Sequence, residues 1–281
     1  MKRVFLLGLP VAHSISPAMQ NAAFRALGID WRYELLETPR ADLARSVARL
    51  RSVDCAGANV TIPHKEAIVG LLDGVTERAR QIGAVNTIVR RDGKLIGDNT
   101  DGDGFIRCLR DAGVDPRNKL VAILGAGGAA RAVAVAVAGL GAARIVILNR
   151  TLARAESLAA FLRAGFSHVA VAVNDVSALV HSDLIVNATS VGMSPREDES
   201  PMPVAFPRGV VAVDLVYRPA ETKFLCDAAR AGAQTIGGLG MLVHQGAAAF
   251  KLWTGRDAPV DVMTAAAEMA LRNTQHAIRN T

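Results

Sequence analysis

Residues 120–130 read Leu120-Val121-Ala122-Ile123-Leu124-Gly125-Ala126-Gly127-Gly128-Ala129-Ala130, an unbroken apolar run that stops on a cluster of glycines. A short apolar run bounded by a turn signal predicts a buried strand. The glycines fit Gly-x-Gly-x-x-Ala between a strand and a helix, which is the dinucleotide-binding fingerprint in its required context. Gly125 permits the tight turn. Gly127 lets the backbone N–H groups of Ala126, Gly128 and Ala129 approach a pyrophosphate, and the small Ala130 lets helix and sheet pack closely. The segment from Ala132 to Val137 is ambiguous, because Val133, Val135 and Val137 alternate with a period of two. It is read as helix, since a parallel crossover needs one here and Val133 and Val137 share a helical face.

The next predicted strand, Arg144 to Leu148, is followed by Asn149-Arg150-Thr151. An NAD site places a carboxylate there to bind the ribose hydroxyls. None is present, whereas Arg150 and Arg154 suit a 2′-phosphate, so the sequence predicts NADP over NAD. Further strands are expected at His168 to Val171, Leu184 to Asn187 and Val210 to Asp214, separated by helices. That alternation predicts a parallel sheet covered on both faces.

On the N-terminal side, Val4 to Leu7, a helix near Pro17 to Leu27 and Trp31 to Leu36 read as strand, helix, strand. A helix from about Ala41 to Leu50, the run Gly57-Ala58-Asn59-Val60-Thr61 and a further helix beginning near His64 follow. The stretch from Gly83 to Gly97 reads as a hairpin turning at Asp92-Gly93. A helix over Gly104 to Ala112 leads to the glycine-rich half. The tail from Met241 is Ala-rich, contains Trp253 and ends in a helical stretch from Val260 to Arg272. These two helices must pack elsewhere, and a return to the first domain would make that domain discontinuous. The fold class is α/β with two domains.

Composition fits this reading. The chain has 281 residues, 51% apolar and 21% charged, which excludes intrinsic disorder and is long enough for two domains. The longest charge-free stretches, such as Ala132 to Ala143, are too short to span a bilayer. The short apolar N-terminus lacks a cleavage site and is read as a strand rather than a signal peptide. Cys55, Cys108 and Cys226 are far apart and match no metal or redox spacing, which predicts reduced thiols, no metal and a cytoplasmic location. The net charge is +6, but the basic residues are scattered without interleaved aromatics, so no nucleic-acid partner is expected. Lysine is scarce, occurring at 2, 65, 94, 119, 223 and 251.

Three polar motifs crowd the first domain: Gly8-Leu9-Pro10-Val11-Ala12-His13-Ser14-Ile15-Ser16-Pro17, Asn59-Val60-Thr61-Ile62-Pro63-His64-Lys65, and Asn86-Thr87 with Asp98-Asn99-Thr100-Asp101-Gly102. Each follows or closes a predicted strand, where open α/β sheets bind ligands. Hydroxyls, amides, one ammonium and one carboxylate suit a polyhydroxylated substrate. Each motif alone also reads as turn and cap chemistry, Ser16-Pro17 being a plausible helix start.

Together, these motifs make the chain resemble the shikimate dehydrogenase family along nearly its whole length. The match adds Gly83 to Thr87, Asn187-Ala188-Thr189, Asp214-Leu215-Val216-Tyr217 and Gly238-Leu239-Gly240-Met241-Leu242 with Gln245. The resemblance implies a catalytic domain of residues 1–101 plus 241–281 enclosing an NADP-binding domain of 102–240, with a substrate cleft at their junction. It implies that Lys65 and Asp101 form the catalytic pair and that Ser14 and Ser16 hold a carboxylate, helped by Thr61 and Tyr217. Asn59, Asn86, Asp101 and Gln245 would serve the substrate's ring. Glu77, Thr189, Leu215 and Gly238 would join Gly125 to Ala129, Asn149, Arg150, Thr151 and Arg154 at the cofactor. One position departs from the family: its usual His in Ser-Pro-x-x-His-Asn is Gln20 here, before Asn21.

The implied activity is NADPH-dependent reduction of 3-dehydroshikimate to shikimate, in a monomer or homodimer. Quinate or dual quinate/shikimate dehydrogenase is a near rival, and a non-catalytic nucleotide-sensing domain is a rival of another class. A sensor needs binding groups but no proton donor, and Lys65 with Asp101 supplies one.

Overall fold

Four consecutive buried side chains, Val4 to Leu7, form the centre of β1 (Lys2–Gly8), an inner strand of the N-terminal sheet. The computed structural model describes residues 1–279 and divides into two units, one of residues 1–104 with the chain from 243 onward, the other of 105–242. Asn280 and Thr281, the end of the expected 241–281 segment, lie outside the described residues.

In the first unit β1 is followed by α1 (Ser16–Ala26), β2 (Trp31–Glu37), α2 (Leu43–Arg49), β3 (Cys55–Val60), β4 (Gly74–Val75), α3 (Glu77–Ile82), β5 (Thr87–Arg91), β6 (Lys94–Asp98) and the start of α4 (Asp101–Asp111). The strand order is β2-β1-β3-β5-β6-β4. β2, β1 and β3 run parallel, β5 is antiparallel to both β3 and β6, and β4 pairs parallel with β6. The β5–β6 hairpin turns at Asp92 and Gly93, whose φ values of 51° and 77° are those the tight turn demands. All six residues of β3 are buried, so both sheet faces are covered there.

The second unit contains β7 (Leu120–Leu124), α5 (Gly128–Gly139), β8 (Arg144–Leu148), α6 (Leu152–Gly165), β9 (Ala170–Val173), β10 (Leu184–Asn187), β11 (Val211–Asp214), α7 (Lys223–Arg230) and β12 (Gln234–Ile236). Its sheet is parallel throughout, in the order β12-β11-β10-β7-β8-β9, which is the doubly wound arrangement. Val121 and Ile123 face one core with Val133 and Val137, while Ala122 and Leu124 face another with Phe224. The ambiguous 132–137 segment is therefore helix, with Val133 and Val137 on the buried face.

The chain then enters α8 (Leu239–Thr254) and α9 (Val260–Arg279). Within the first unit α9 packs along α1, Phe250 stacks near Phe24, and the Trp253 indole donates to the Ile88 carbonyl at 2.9 Å. Gly57 makes room for this anchor: a Cβ there would fall 2.2 Å from the Ile88 oxygen and 2.7 Å from the Trp253 nitrogen. Gln20 is fully buried on α1, and its amide donates to the Gly246 carbonyl at 2.9 Å. The polar side chain that departs from the family pattern thus ties α1 to α8.

One expected element differs. No helix begins near His64; the chain makes turns and a short 3-10 segment at Val69–Leu71. Its polar groups are committed sideways instead. The buried His64 ring donates to the Thr38 carbonyl at 2.6 Å, and the Lys65 carbonyl accepts from Val85 N–H at 2.7 Å. Among the described residues, no helix is long and apolar enough to cross a membrane.

Candidate functional site

In the order β2-β1-β3 the connections that follow the neighbouring strands β1 and β3 run to opposite sides, and open α/β sheets bind ligands at such a switch point. Ser14 and Ser16 follow β1; Thr61 and Lys65 follow β3. Ser16 is not a cap but the first residue of α1, and its N–H donates to Ser14 Oγ at 3.2 Å. Gly8 gives Thr61 its position, because a Cβ on Gly8 would lie 2.3 Å from the Thr61 methyl group.

Lys65 Nζ lies 2.6 Å from Asp101 Oδ2, with the two side chains 16% and 5% exposed. An ammonium on a side chain largely shielded from water and held by one carboxylate is fixed in direction, which a surface lysine is not. Asp101 opens α4, where the helix N-terminus favours its negative charge. Its other oxygen accepts from Asn86 Nδ2 at 2.8 Å. That same nitrogen is within 3.0 Å of Thr100 Oγ1 and 3.2 Å of Gln245 Oε1, so its two hydrogens serve three acceptors. The Gln245 carbonyl accepts from Thr100 Oγ1 at 3.0 Å, and Gly104 permits this approach, since a Cβ there would meet Gln245 backbone nitrogen at 2.7 Å.

Lys65, Asn86, Asp101 and Gln245 are therefore assembled in one cluster. Asn59 stands behind it: its oxygen accepts from Tyr33 Oη at 2.8 Å, and its nitrogen donates to the Asn86 carbonyl at 3.1 Å and to Thr87 Oγ1 at 3.2 Å. Tyr33 carried no functional signal in the sequence. Glu77 also belongs to the first unit, on α3, where it pairs with Arg80. Tyr217 belongs to the second unit, as do Thr189, Leu215 and Gly238.

Asp98 closes β6 beside this cluster. Burial would raise its pKa, but the bonds from Arg78, Thr76 Oγ1 and Asn99 N–H, with the Arg78 charge, outweigh that and hold the carboxyl below its ordinary range.

In the second unit the glycine-rich turn lies at the switch between β7 and β10. Gly125 has φ +114°, and a Cβ on it would lie 3.0 Å from the Ala188 carbonyl oxygen and 3.2 Å from the Thr189 methyl. Around Gly127 the space a Cβ would fill is open, and α5 begins there with no side-chain cap. Open space over uncapped helix N–H groups is what a pyrophosphate requires. Ala126 and Ala129 add no bulk. Asn149 bonds the Thr151 carbonyl at 2.8 Å, leaving Arg150, Thr151 and Arg154 exposed at the start of α6 with no acidic residue from 149 to 154. The residues present fit NADP.

A second buried carboxylate supports this edge. Asp214 Oδ1 accepts from Asn187 Nδ2 and Val216 N–H, both at 2.9 Å, and Oδ2 accepts from Thr222 Oγ1 at 2.6 Å. Asn187 in turn accepts from the Thr189 N–H and hydroxyl. Burial pushes the Asp214 carboxyl up to about 6 against these hydrogen bonds. Gly238 touches the same loop, since a Cβ there would lie 2.5 Å from the Leu215 carbonyl oxygen. Asn187 and Asp214 stood in the quoted motifs; the role of Thr222 was not visible in the sequence.

Three family models match: the shikimate dehydrogenase substrate binding domain over residues 6–88, shikimate / quinate 5-dehydrogenase over 110–215, and the shikimate 5′-dehydrogenase C-terminal domain over 238–268. A shikimate dehydrogenase (NADP(+)) from Moorella thermoacetica is 52% identical over 266 residues, covering 92% of this chain and 90% of that one. A crystal structure of shikimate dehydrogenase in complex with NADP+ matches with a TM-score of 0.90 at 39% identity over 96% of each chain. The Thermus thermophilus shikimate 5-dehydrogenase in complex with NADP(H) and shikimate matches with a TM-score of 0.88 at 41% identity, over 96% of this chain and 100% of that one.

Proposed function

The chain belongs to the shikimate dehydrogenase family, and on that premise we propose that it reversibly reduces 3-dehydroshikimate to shikimate with NADPH, on the route to chorismate and the aromatic amino acids. The observation that carries the chemistry is the 2.6 Å pair of Lys65 and Asp101 within a ring of neutral hydrogen-bonding groups.

When bound, the nicotinamide supplies a hydride to the ring ketone. Lys65 meets the negative charge that develops on the ketone oxygen and gives that oxygen a proton, completing the alcohol; in the reverse direction it takes the proton back. Arginine could not do this, because a guanidinium does not release its proton near neutral pH. Asp101 directs the ammonium and, with Asn86 and Gln245, accepts or donates hydrogen bonds to ring hydroxyls. Asn59 supports Asn86 from behind. Ser14, Ser16 and Thr61 hold the substrate carboxylate, with Tyr217 completing that set.

The glycine turn from Gly125 to Ala129 receives the pyrophosphate at the start of α5. Asn149, Arg150, Thr151 and Arg154 receive the 2′-phosphate, two guanidinium groups taking the place of the carboxylate an NAD site carries. Glu77, Thr189, Leu215 and Gly238 complete the cofactor contacts. The three free thiols suit a reducing compartment, the cytoplasm, and the working form is a monomer or homodimer.

The test is a kinetic matrix of shikimate and quinate against NADP+ and NAD+, read by reduced-nicotinamide absorbance. Turnover is expected to be greatest with shikimate and NADP+. Preference for quinate, which adds a hydroxyl at the carboxylate-bearing carbon, would move the assignment to quinate dehydrogenase; tight binding without turnover would make the chain a sensor.

A further inference from the structure

We infer that Arg78 and Asp98 form a clamp that sets the position of Asp101, making Arg78 a positioning residue for the reaction. The inference rests on the reading of Asp101 as the catalytic carboxylate.

Arg78 lies on α3 and uses all three of its guanidinium nitrogens. Nε donates to Asp98 Oδ1 at 3.0 Å, Nη2 donates to Asp98 Oδ2 at 2.8 Å, and Nη1 donates to Asp103. Asp98 is the last residue of β6, and Asp103 lies in the first turn of α4. One planar group therefore grips the chain on both sides of Asn99-Thr100-Asp101. Thr76 adds a third point: its hydroxyl donates to Asp98 Oδ1 at 2.7 Å and caps α3 by accepting from Ala79 N–H at 3.2 Å.

The grip is transmitted through short bonds. Asp98 Oδ1 accepts from Asn99 N–H at 2.7 Å, and Asn99 Oδ1 accepts from Asp101 N–H at 3.0 Å. The Asn99 amide is itself held by the Ala84 carbonyl at 2.9 Å. The Asp98 carbonyl accepts from Asn86 N–H at 3.1 Å, so Asn86 and Asn99, two of the residues that bond Asp101, both hang from Asp98. Asp98, Asp101 and Asp103 place three carboxylates within six residues; Lys65 faces the middle one and Arg78 the outer two.

Surface ion pairs contribute little on their own. The Asp98 carboxylate is 7% exposed, however, so removing Arg78 leaves a nearly buried charge without its cation, and the turn must shift to hydrate it. Lysine keeps the charge but cannot form the fork to Asp98 while also reaching Asp103. A shift of Asp101 by about 1 Å is enough to cost turnover on the order of 100-fold.

The experiment measures Arg78→Gln, Arg78→Lys and Asp98→Asn alone and in the Asp101→Asn background, with wild-type turnover of shikimate and NADP+ as reference. The clamp requires Arg78→Gln to lower kcat by about 10- to 100-fold while KM for NADP+ stays within about threefold. Arg78→Lys is expected to recover only part of the loss. In the Asp101→Asn background Arg78→Gln should add almost nothing, because it acts through the group already removed. An equal loss in both backgrounds, or an unchanged kcat, overturns the clamp. Should Arg78→Gln fail to fold, Asp98→Asn, which keeps the side-chain contour, carries the same expectations. Absence of wild-type turnover would refute the functional reading separately. In that case the clamp is read by amide hydrogen exchange over residues 99–104, which must speed up in Arg78→Gln or Asp98→Asn; unchanged protection overturns it.

Discussion

The buried carboxylates of the two units are held in opposite ways. Asp101 meets an ammonium at 2.6 Å, and its neighbour Asp98 meets a guanidinium through two parallel bonds. Asp214 is fully buried, and the partners that bond it, Asn187, Val216 N–H and Thr222, are neutral. Where the proposed chemistry takes place, carboxylates stand against basic side chains. At the edge of the second unit proposed to bind the nucleotide, the Asp214 carboxylate acts as a hydrogen-bond hub joining the loops after β10 and β11. There a protonated Asp214 can donate to Thr222 Oγ1 instead of accepting from it, so the neutral form also fits.

The comparison can be broken most severely at Lys65. Lys65→Ala is expected to lower kcat by a factor of roughly 100 to 10,000, with KM for shikimate rising no more than about tenfold, as for a group used mainly in the transition state. Unchanged steady-state turnover would remove the ammonium from the reaction and leave both carboxylates structural.

Asp214→Asn sharpens the contrast through pH. The folded pKa of about 6 lies above the ordinary 3.8, so between these values the folded state binds more protons than the unfolded one. The stability that protonation contributes is fully present below pH 3.8 and is lost as pH rises through about 6. Asparagine mimics the protonated form. The variant should therefore exceed wild type in unfolding free energy at pH 8, by at most about 3 kcal/mol, and the gap should close as pH falls towards 4. A destabilised variant whose deficit is the same at both pH values would mean that Asp214 needs its charge.

The smallest of these effects concerns a charge brought by the ligand. Arg150→Ala should weaken NADP+ binding by roughly 10- to 100-fold, the range for one charge-assisted hydrogen-bonding group. NAD+ binding, followed by the same titration, should change by less than about threefold. Parallel losses for both nucleotides would detach Arg150 from the 2′-phosphate.

What the sequence made legible was local. Leu120 to Ala130 announces a strand, a turn and a helix start within eleven residues, and Asp92-Gly93 marks a hairpin because only a few residues tolerate positive φ. The Lys65, Asn86 and Asp101 cluster could be recognised from its motifs, though their contacts could not. Contacts made across long separations left no mark in composition or periodicity. Tyr33 reaches Asn59 over 26 positions, Trp253 reaches Ile88 over 165, and Arg78 finds Asp98 and Asp103 only once β6 and α4 are in place. The missing helix near His64 has the same origin: tertiary bonds to Thr38 and Val85 claim groups that local propensity would have given to a helix. Polar side chains advertise a capacity to bond, and the fold chooses the partner.

The indole of Trp253 closing on the Ile88 carbonyl also fixes an order of events at the ribosome. Every residue of the 105–242 unit has been synthesised before Trp253 is added, whereas β3 and β5 must wait for it with Gly57 uncovered. Domains fold as units during translation. The nested unit can thus reach its native state while its host is still a half-built shell, and a chain truncated after residue 242 should yield a folded 105–242 unit attached to an open, protease-sensitive remainder.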